Sequence, residues 1–256
     1  MYKLIFTLLL YSFSANAQQK IYTTANAHSH NDYEQKEPFR KAYSRQFGSI
    51  EADIFLRNDN DTLWVAHTLM ELNTKKRSLE ALYLQPLAAC IRKNKGYVYA
   101  DTGRKLQLMI DIKTAAIPTL DRLVKVLQQY PEIISCPTLQ IVISGNRPDP
   151  AQFATYPSFI WFDGNIKSTY TEAALAKIVM MSADWKQFSS WNGTGELPAA
   201  DQTAIKQAVE QRHGLYKRVR FWGAPDTVAA WKTFISLQSD YINTDSIDAL
   251  ADYLKK

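Results

Sequence analysis

The stretch SIEADIF at residues 49–55 shows the pattern on which the fold prediction rests. It is a short run rich in β-branched and aromatic residues, which is typical of a strand. Seven similar runs follow or precede it, and longer segments of helical period lie between them, so the sequence predicts βα units around a parallel sheet. The eight predicted strands are residues 22–28, 49–55, 106–113, 139–145, 159–164, 177–183, 218–224 and 241–245.

The helical segments support the same architecture. They are predicted at residues 119–130, 170–179, 200–213, 226–238 and 246–256. Thr169, Asp226 and Ser246 stand where N-terminal capping oxygens are preferred. Eight strands each followed by a helix predict an α/β chain that folds as a single-domain (β/α)8 TIM barrel. A doubly wound open sheet is the alternative, although no GxGxxG or GxxxxGK[ST] motif supports a nucleotide-binding version of it.

One β-hairpin interrupts this pattern after the second strand. The segment LRNDNDTLWVAH at residues 56–67 is predicted to contain a strand end, a turn at residues 58–61 and a returning strand that ends at His67. The acidic turn lacks the glycine and the distant glutamate of a calcium-binding loop, so a plain hairpin is expected.

The first residues, MYKLIFTLLLYSFSANA, are predicted to be a signal peptide. Lys3 precedes an apolar run about half as long as the ~20 residues that a spanning helix needs, and small residues stand at Ala15 and Ala17. We therefore expect a signal peptide over 1–17, a single domain over 18–256 and a secreted or periplasmic protein without a stable membrane anchor.

Composition sets broad limits on the function. Hydrophobic residues make up 46% of the chain, which is ample for a packed core, and the net charge is +5. The basic residues are scattered in short groups rather than along one stripe, so no nucleic-acid partner is expected, and the protein is expected to be a monomer. Cys90 and Cys136 lack metal-site spacing, and whether they pair is left open.

Two predicted strands carry carboxylates at their ends. Glu51 and Asp53 are two residues apart, so the period of a strand turns both side chains to the same side. Asp111 and Lys113 repeat the spacing on the next barrel strand. In this fold the active site lies at the carboxyl ends of the strands, and converging carboxylates need a cation or a proton. The alternatives are surface acids and a structural ion pair.

The histidines suggest what such a site does. His28 ends the first predicted strand and His67 ends the hairpin, and imidazole exchanges protons near neutral pH. His30 and Asn31 follow in the loop and are expected in a secondary, substrate-contacting role. Oxygen ligands favour Mg²⁺ or Ca²⁺ over Zn²⁺, and an oxygen-bound cation beside a lysine suits a phosphoryl group. The combination predicts phosphodiester cleavage.

At this point the chain resembles the PI-PLC-like phosphodiesterase superfamily, which includes glycerophosphodiester phosphodiesterases and sphingomyelinase D-type enzymes. The matching motifs are AHSHND (27–32), EAD (51–53), the histidine at 67, DIK (111–113), FW (221–222) and INTD (242–245). They occur in the right order over nearly the whole chain. The chain has HSHND where glycerophosphodiesterases have HRG, and DIK where they have a glutamate before the lysine, which favours an HSHNDY branch and leaves the substrate open.

The resemblance implies a role for each matching residue. Glu51, Asp53 and Asp111 would hold Mg²⁺ or Ca²⁺, His28 and His67 would be the acid–base pair, Lys113 would stabilise the phosphate, and Trp222 would shape the pocket wall. Neither the order of acid and base nor the nucleophile, water or a substrate hydroxyl, follows from sequence.

A last candidate is the aromatic loop at residues 183–197. Its tryptophans, including Trp191, are expected either to cover the organic part of a substrate or to pack on the helix below. The predicted function is a secreted, metal-dependent phosphoric diester hydrolase for a glycerophosphodiester-type or phospholipid-type substrate. The alternatives are a non-catalytic barrel that binds a phosphorylated or sugar-like ligand, and carboxylates with a purely structural role.

Overall fold

The computed structural model describes residues 20–57, 61–73 and 77–255. The predicted signal peptide and most of the predicted hairpin turn lie outside these residues. Among the helices in these ranges, none is long and apolar enough to cross a bilayer.

Eight parallel strands form a nearly closed barrel. The described residues contain nine strands, of which all but β3 belong to the barrel: β1 (Ala27–Ser29), β2 (Ser49–Leu56), β3 (Leu63–Val65), β4 (Leu106–Ile112), β5 (Leu139–Gly145), β6 (Ile160–Asn165), β7 (Ile178–Asp184), β8 (Arg218–Trp222) and β9 (Ile242–Thr244). Their order is β8-β7-β6-β5-β4-β2-β1-β9, and a parallel bridge between Arg220 and Tyr241 joins the two ends of the sheet. The predicted TIM barrel is therefore confirmed, and the open-sheet alternative is not.

The short strand β3 lies outside this ring. It pairs antiparallel with β2, with Val65 opposite Ile54, which is the predicted returning strand of the hairpin. This pairing brings the chain back beside the carboxyl end of β2, where His67 follows.

The helices are mostly short. They are α1 (Arg40–Ser44), α2 (Gln85–Lys93), α3 (Ala116–Leu127), α4 (Pro131–Ile134), α5 (Glu172–Leu175), α6 (Ala199–His213), α7 (Val228–Ser236) and α8 (Ile247–Tyr253). The prediction that a helix follows every strand fails after β5, where a 3-10 turn at Pro150–Thr155 takes its place. The predicted helix at residues 170–179 is too long, because the apolar residues from Ile178 onward belong to β7.

Two of the three predicted helix caps are displaced. Thr171 and Thr227 cap α5 and α7 instead of Thr169 and Asp226, and Ser246 precedes α8 without a side-chain hydrogen bond. The carboxylate of Asp226 accepts hydrogen bonds from the Trp231 indole and from the backbone of residue 245, which ties α7 to the end of β9.

The first strand is shorter than its predicted span of 22–28. Residues Thr24–Asn26 form a 3-10 turn, and the Thr23 hydroxyl accepts from the N–H of residue 25. Gly48 lies against this turn, since a Cβ at Gly48 would stand 1.9 Å from the Ala25 carbonyl oxygen. This close approach sets where β1 begins.

The inside of the barrel changes character along the strands. Met109, Met180 and Tyr241 form a small buried cluster of their own, apart from the main core between sheet and helices. Two residues beyond Met109 on the same strand stands Asp111, at the charged end of the interior. The strands thus deliver charged side chains to one end of the barrel. Cys90 and Cys136 are free thiols.

Candidate active site at the carboxyl ends of the strands

A cavity of about 400 Å³ opens at the carboxyl ends of the barrel strands. Most of the sequence-predicted site residues meet there. The predicted residues on its wall are His30, Asn31, Glu51, His67, Asp111, Lys113 and Trp222. Asp53 lies directly behind the wall, in contact with Lys113, whereas His28 and Trp191 do not line this cavity.

Three carboxylates converge at the cavity, two of them on its wall and Asp53 directly behind it. Glu51, Asp53 and Asp111 each offer an oxygen within 4.8 Å of the other two, and Asp53 and Asp111 are register partners on β2 and β4. Within the described part of the chain, Asp53 Oδ1 is buried and has no hydrogen-bond partner. An all-oxygen donor set with an unpartnered buried oxygen fits a hard divalent cation.

Lysine supplies only part of the charge that this site needs. Lys113 Nζ lies 2.9 Å from Asp53 Oδ2 and 3.1 Å from Asp111 Oδ1. Burial lowers the pKa of Lys113, but the two carboxylates outweigh it and raise the pKa above its usual value. Burial and the charge of Glu51 raise the pKa of Asp53 to about 7. Asp53 is therefore the carboxyl group of this site whose ionised form is least compensated.

Glu51 has a different set of partners, which includes an arginine that sequence reasoning missed. Arg220 NH1 lies 2.8 Å from Glu51 Oε2, and His28 Nε2 lies 2.7 Å from the same oxygen. Burial raises the pKa of Glu51, but the guanidinium and the imidazole outweigh it and hold the pKa well below its usual range. Glu51 is therefore ionised and held in place.

His28 itself lies behind the pocket. It is fully buried, its Nδ1 lies 2.7 Å from Ser49 Oγ, and its Nε2 lies 2.5 Å from Arg220 NH1 as well as close to Glu51. Burial, followed by the charge of Arg220, lowers the pKa of His28 to about 4. Both ring nitrogens are thus engaged within the protein, and the imidazole is neutral near physiological pH.

His30, expected in a secondary role, stands on the pocket wall. Its Nδ1 lies 3.0 Å from Asp245 Oδ1, and its side chain is 31% exposed. Burial lowers the pKa of His30, but the hydrogen bond to Asp245 and the charge of Glu51 raise it above its usual value. The signal was present in the sequence, because His28 and His30 have the same parity and His30 follows the carboxyl end of β1 directly, on the side where the active site is expected.

The second pocket histidine is held by a buried phenol. The Tyr33 hydroxyl lies 3.1 Å from His67 Nδ1, 2.7 Å from Asp53 Oδ2 and 2.8 Å from Asn31 Oδ1. Asn31 has a left-handed backbone with φ of 45°, a conformation that asparagine tolerates better than most residues. Tyr33 was not predicted from the sequence.

Other polar residues inside the barrel were also missed. They stand at inward positions of the later strands: Ser144, Asp163, Ser182 and Arg220. Asp163 accepts hydrogen bonds from the hydroxyls of Ser144 and Ser182, and burial raises its pKa. Each of them is a polar residue within an otherwise apolar strand, and side chains two residues apart on a strand face the same side. This alternation was the signal in the sequence that could have found them.

The two predicted tryptophans lie in different surroundings. Trp222 is 42% exposed on the cavity wall. Trp191 is buried, packs edge-on against Trp185 and lines a separate hollow of about 540 Å³. Of the two expectations for the aromatic loop, packing on the underlying structure describes Trp185 and Trp191, since Trp185 also contacts Phe221 and Phe234.

Comparisons with known proteins identify relatives in sequence and in fold. Residues 16–133 match the model of the AIM6-like phosphodiesterase domain. Altered inheritance of mitochondria protein 6 from Kluyveromyces lactis is 26% identical over 308 residues, covering 92% of this chain and 73% of that protein. The homolog from Arthroderma benhamiae is 26% identical over 266 residues, covering 88% and 82%.

Two solved structures share the fold. A Ca²⁺-dependent phosphatidylinositol-specific phospholipase C from Streptomyces antibioticus has a TM-score of 0.60 at 11% identity, covering 91% of this chain and 98% of that one. A glycerophosphodiester phosphodiesterase from Parabacteroides distasonis has a TM-score of 0.57 at 14% identity, covering 90% and 97%. A PI-PLC-like superfamily fits these findings, which confirms the resemblance seen in the sequence motifs.

The predicted secreted or periplasmic location is wrong. The fungal relatives are named for altered inheritance of mitochondria, and that name points to a mitochondrial or intracellular role of those proteins rather than to secretion. The physical reason is that one lysine followed by a short apolar run and small residues is a weak pattern, which does not by itself specify export.

Proposed function

We propose that this chain, a barrel of the PI-PLC-like type, is a metal-dependent phosphoric diester hydrolase acting on a small-molecule or lipid phosphodiester. The observation that carries the proposal is one cavity that combines three carboxylates, with oxygens within 4.8 Å of one another, and two histidines on its wall. Such a set supplies both charge neutralisation and proton transfer to a phosphoryl group. The proposed domain spans residues 18–256.

The carboxylates and the lysine are assigned to charge. Glu51, Asp53 and Asp111 would hold Mg²⁺ or Ca²⁺, which when bound neutralises charge on the phosphoryl oxygens. Lys113 has a side chain that is 32% exposed to the cavity, and its ammonium is assigned to the same oxygens. Asn31 and Trp222, both on the wall, are assigned to substrate binding.

The acid–base pair is assigned to His30 and His67. A general acid or base has to reach the reacting oxygen, and His28 has both ring nitrogens engaged behind Glu51. His28 is therefore assigned to holding Glu51 in place, and this revises the role that the resemblance implied for it.

The proton balance of the reaction then needs only these two side chains. The nucleophile, water or a substrate hydroxyl, gives its proton to one imidazole while its oxygen bonds to phosphorus. The bond between phosphorus and the leaving oxygen breaks, and that oxygen takes a proton from the other imidazole. Each histidine ends in the protonation state in which the other began.

The test is hydrolysis of bis-p-nitrophenyl phosphate, glycerophosphodiesters and lysophospholipids with Mg²⁺, Ca²⁺ or EDTA. We expect turnover that needs a cation and falls at least about 100-fold in His30→Ala and in His67→Ala. His213→Ala is the matched control, since His213 pairs with Asp240 away from the cavity. Activity indifferent to EDTA and to His67→Ala would refute the proposal, and tight binding of a phosphorylated ligand without turnover would favour the binding barrel.

A further inference from the structure

The Tyr33 phenol lies beside both Asp53 and His67, and the proposed reaction assigns no role to it. We infer that Tyr33 is a positioning residue that fixes the tautomer of His67, with the proton on Nδ1 and the lone pair of Nε2 free, so that His67 is the general base. Its catalytic meaning rests on the function proposed above, whereas the hydrogen-bond arrangement itself does not.

The inference follows from a count of protons. The Tyr33 hydroxyl has one proton and three polar neighbours, namely Asp53 Oδ2 at 2.7 Å, the Asn31 side-chain amide at 2.8 Å and His67 Nδ1 at 3.1 Å. The Asn31 amide can present either its oxygen or its NH2 group to the phenol, and it donates when the phenol proton goes elsewhere. With a cation bound, Asp53 would be ionised and therefore the strongest acceptor of the three, so the phenol would donate to Asp53. The phenol oxygen is then an acceptor for His67, which requires a proton on Nδ1.

Asp53 is suited to this role because its two oxygens have different surroundings. Oδ2 receives both the phenol and Lys113 Nζ, the latter at 2.9 Å. Oδ1, buried and without a hydrogen-bond partner among the described residues, is left for a cation. Asp53 would be ionised when it holds a cation, so the metal site and the tautomer of His67 would be linked through one phenol.

The phenol cannot easily turn toward another partner. Tyr33 is fully buried, its carbonyl accepts from Arg77 NH1 at 2.5 Å, and the Arg77 guanidinium lies 5.8 Å from the ring centroid. The preceding residue, Asp32, accepts from the Ser29 hydroxyl at 2.8 Å and from the Tyr83 hydroxyl at 3.0 Å. These contacts fix the backbone on both sides of the phenol.

The arrangement divides the two steps between the histidines. Nε2 of His67, on the far side of the ring from Tyr33, accepts the proton of the nucleophile. His30, whose Nδ1 is held by Asp245, is left to protonate the leaving oxygen. The sequence alone left this order open.

The kinetic test is Tyr33→Phe, which removes only the hydroxyl. We expect kcat to fall about 10- to 100-fold, as for the loss of an orienting partner, with KM changed less than about threefold. Tyr99→Phe is the matched control, because its buried hydroxyl donates to the Phe47 carbonyl away from the cavity. In a His67→Ala background the same change should cost nothing further, since Tyr33 acts through His67. An additive loss would overturn the inference.

The spectroscopic test needs no turnover, so it separates this inference from the proposed function. Long-range ¹H–¹⁵N correlation spectra of the histidine rings, assigned with His67→Ala, report which ring nitrogen carries the proton. With Ca²⁺ bound, we expect His67 to be protonated on Nδ1, and Tyr33→Phe to shift the ring toward the Nε2–H form. A wild-type His67 with its proton on Nε2 would overturn the inference, whatever the enzyme hydrolyses.

Discussion

The two sides of the barrel mouth carry similar charges but are compensated differently. On one side, which we call the closed side, Glu51 meets Arg220 and His28, all buried. On the other, the open side, Asp53 and Asp111 share Lys113, and Asp53 keeps a buried oxygen without a hydrogen-bond partner among the described residues. The pKa of Glu51 is held well below its usual range, whereas that of Asp53 is raised to about 7.

Glu51 and Asp53 are only two residues apart on one strand, so their difference comes from what other strands place opposite them. An ion network whose charges are all paired holds a geometry, and a pair of carboxylates with too little positive charge attracts a cation. We therefore expect the closed side to hold the geometry of the site and the open side to bind the cation. Four experiments test this division, in order of decreasing effect.

The largest effect is expected when the closed side is broken. Arg220→Met leaves Glu51 ionised and buried without its guanidinium, which should cost about 3–5 kcal/mol of unfolding free energy. Urea denaturation measures it. Arg92→Met, which removes an exposed pair with Glu132, is the control and should cost less than about 1 kcal/mol. Similar losses in the two variants would contradict the division.

A smaller effect is expected on the open side, and on binding rather than stability. Asp53→Asn removes one ligand charge, so calorimetric titration should show Ca²⁺ or Mg²⁺ affinity at least about 100-fold weaker. In EDTA the variant should be no less stable than the wild type, because it removes a carboxylate that is costly to ionise in place. Unchanged cation binding would instead support a structural role for the carboxylates.

The pH dependence of the unfolding free energy should have opposite signs for the two sides. The folded pKa of Asp53, about 7, lies above its unfolded value of 3.8, so its stabilising contribution is lost as the pH rises from about 4 to 7 without a cation. The folded pKa of His28, about 4, lies below its unfolded value of 6.5, so its contribution is lost as the pH falls from about 6.5 to 4.

Two measurements check these signs. Because a cation displaces the proton of Asp53, the Ca²⁺ dissociation constant should rise about tenfold per pH unit below 7 in the wild type but not in Asp53→Asn. Denaturation of the cation-free protein between pH 4 and 7 should show the opposite slopes when Asp53→Asn and His28→Gln are compared with the wild type. Equal slopes in the two variants would mean that the sides do not differ.

The smallest effect is expected at Trp222, which lies on the cavity wall outside both the closed and the open side. Trp222→Ala removes an exposed indole from the cavity wall, so KM should rise about fivefold, or ~1 kcal/mol, with little change in kcat. Its unfolding free energy should change by less than about 0.5 kcal/mol. Tyr216→Ala, which removes a ring that is 96% exposed outside the cavity, is the control for KM. A drop in kcat alone would place Trp222 in a different role.

Much of this site followed from local pattern. Strand period puts Glu51 and Asp53 on one side, and repetition of βα units brings Asp111 and Lys113 beside them, so the carboxylate trio was predictable. The sequence prediction gave the catalytic role to His28, whereas we propose His30, because the predicted first strand ended at His28 and the observed β1 ends at Ser29. The 3-10 turn at Thr24–Asn26 moves β1 toward the carboxyl side and leaves His28 inside the barrel.

The sequence by itself determined the barrel and the meeting of its carboxylates, because periodicity and strand order are local properties that add up along the chain. Only the tertiary structure decided which charges are compensated. Arg220 reaches Glu51 from a strand 169 residues away, and Tyr33 joins Asp53 to His67 across the mouth. Such partners come together only when the barrel closes, so the spacing of residues along the chain does not reveal which side chains will meet.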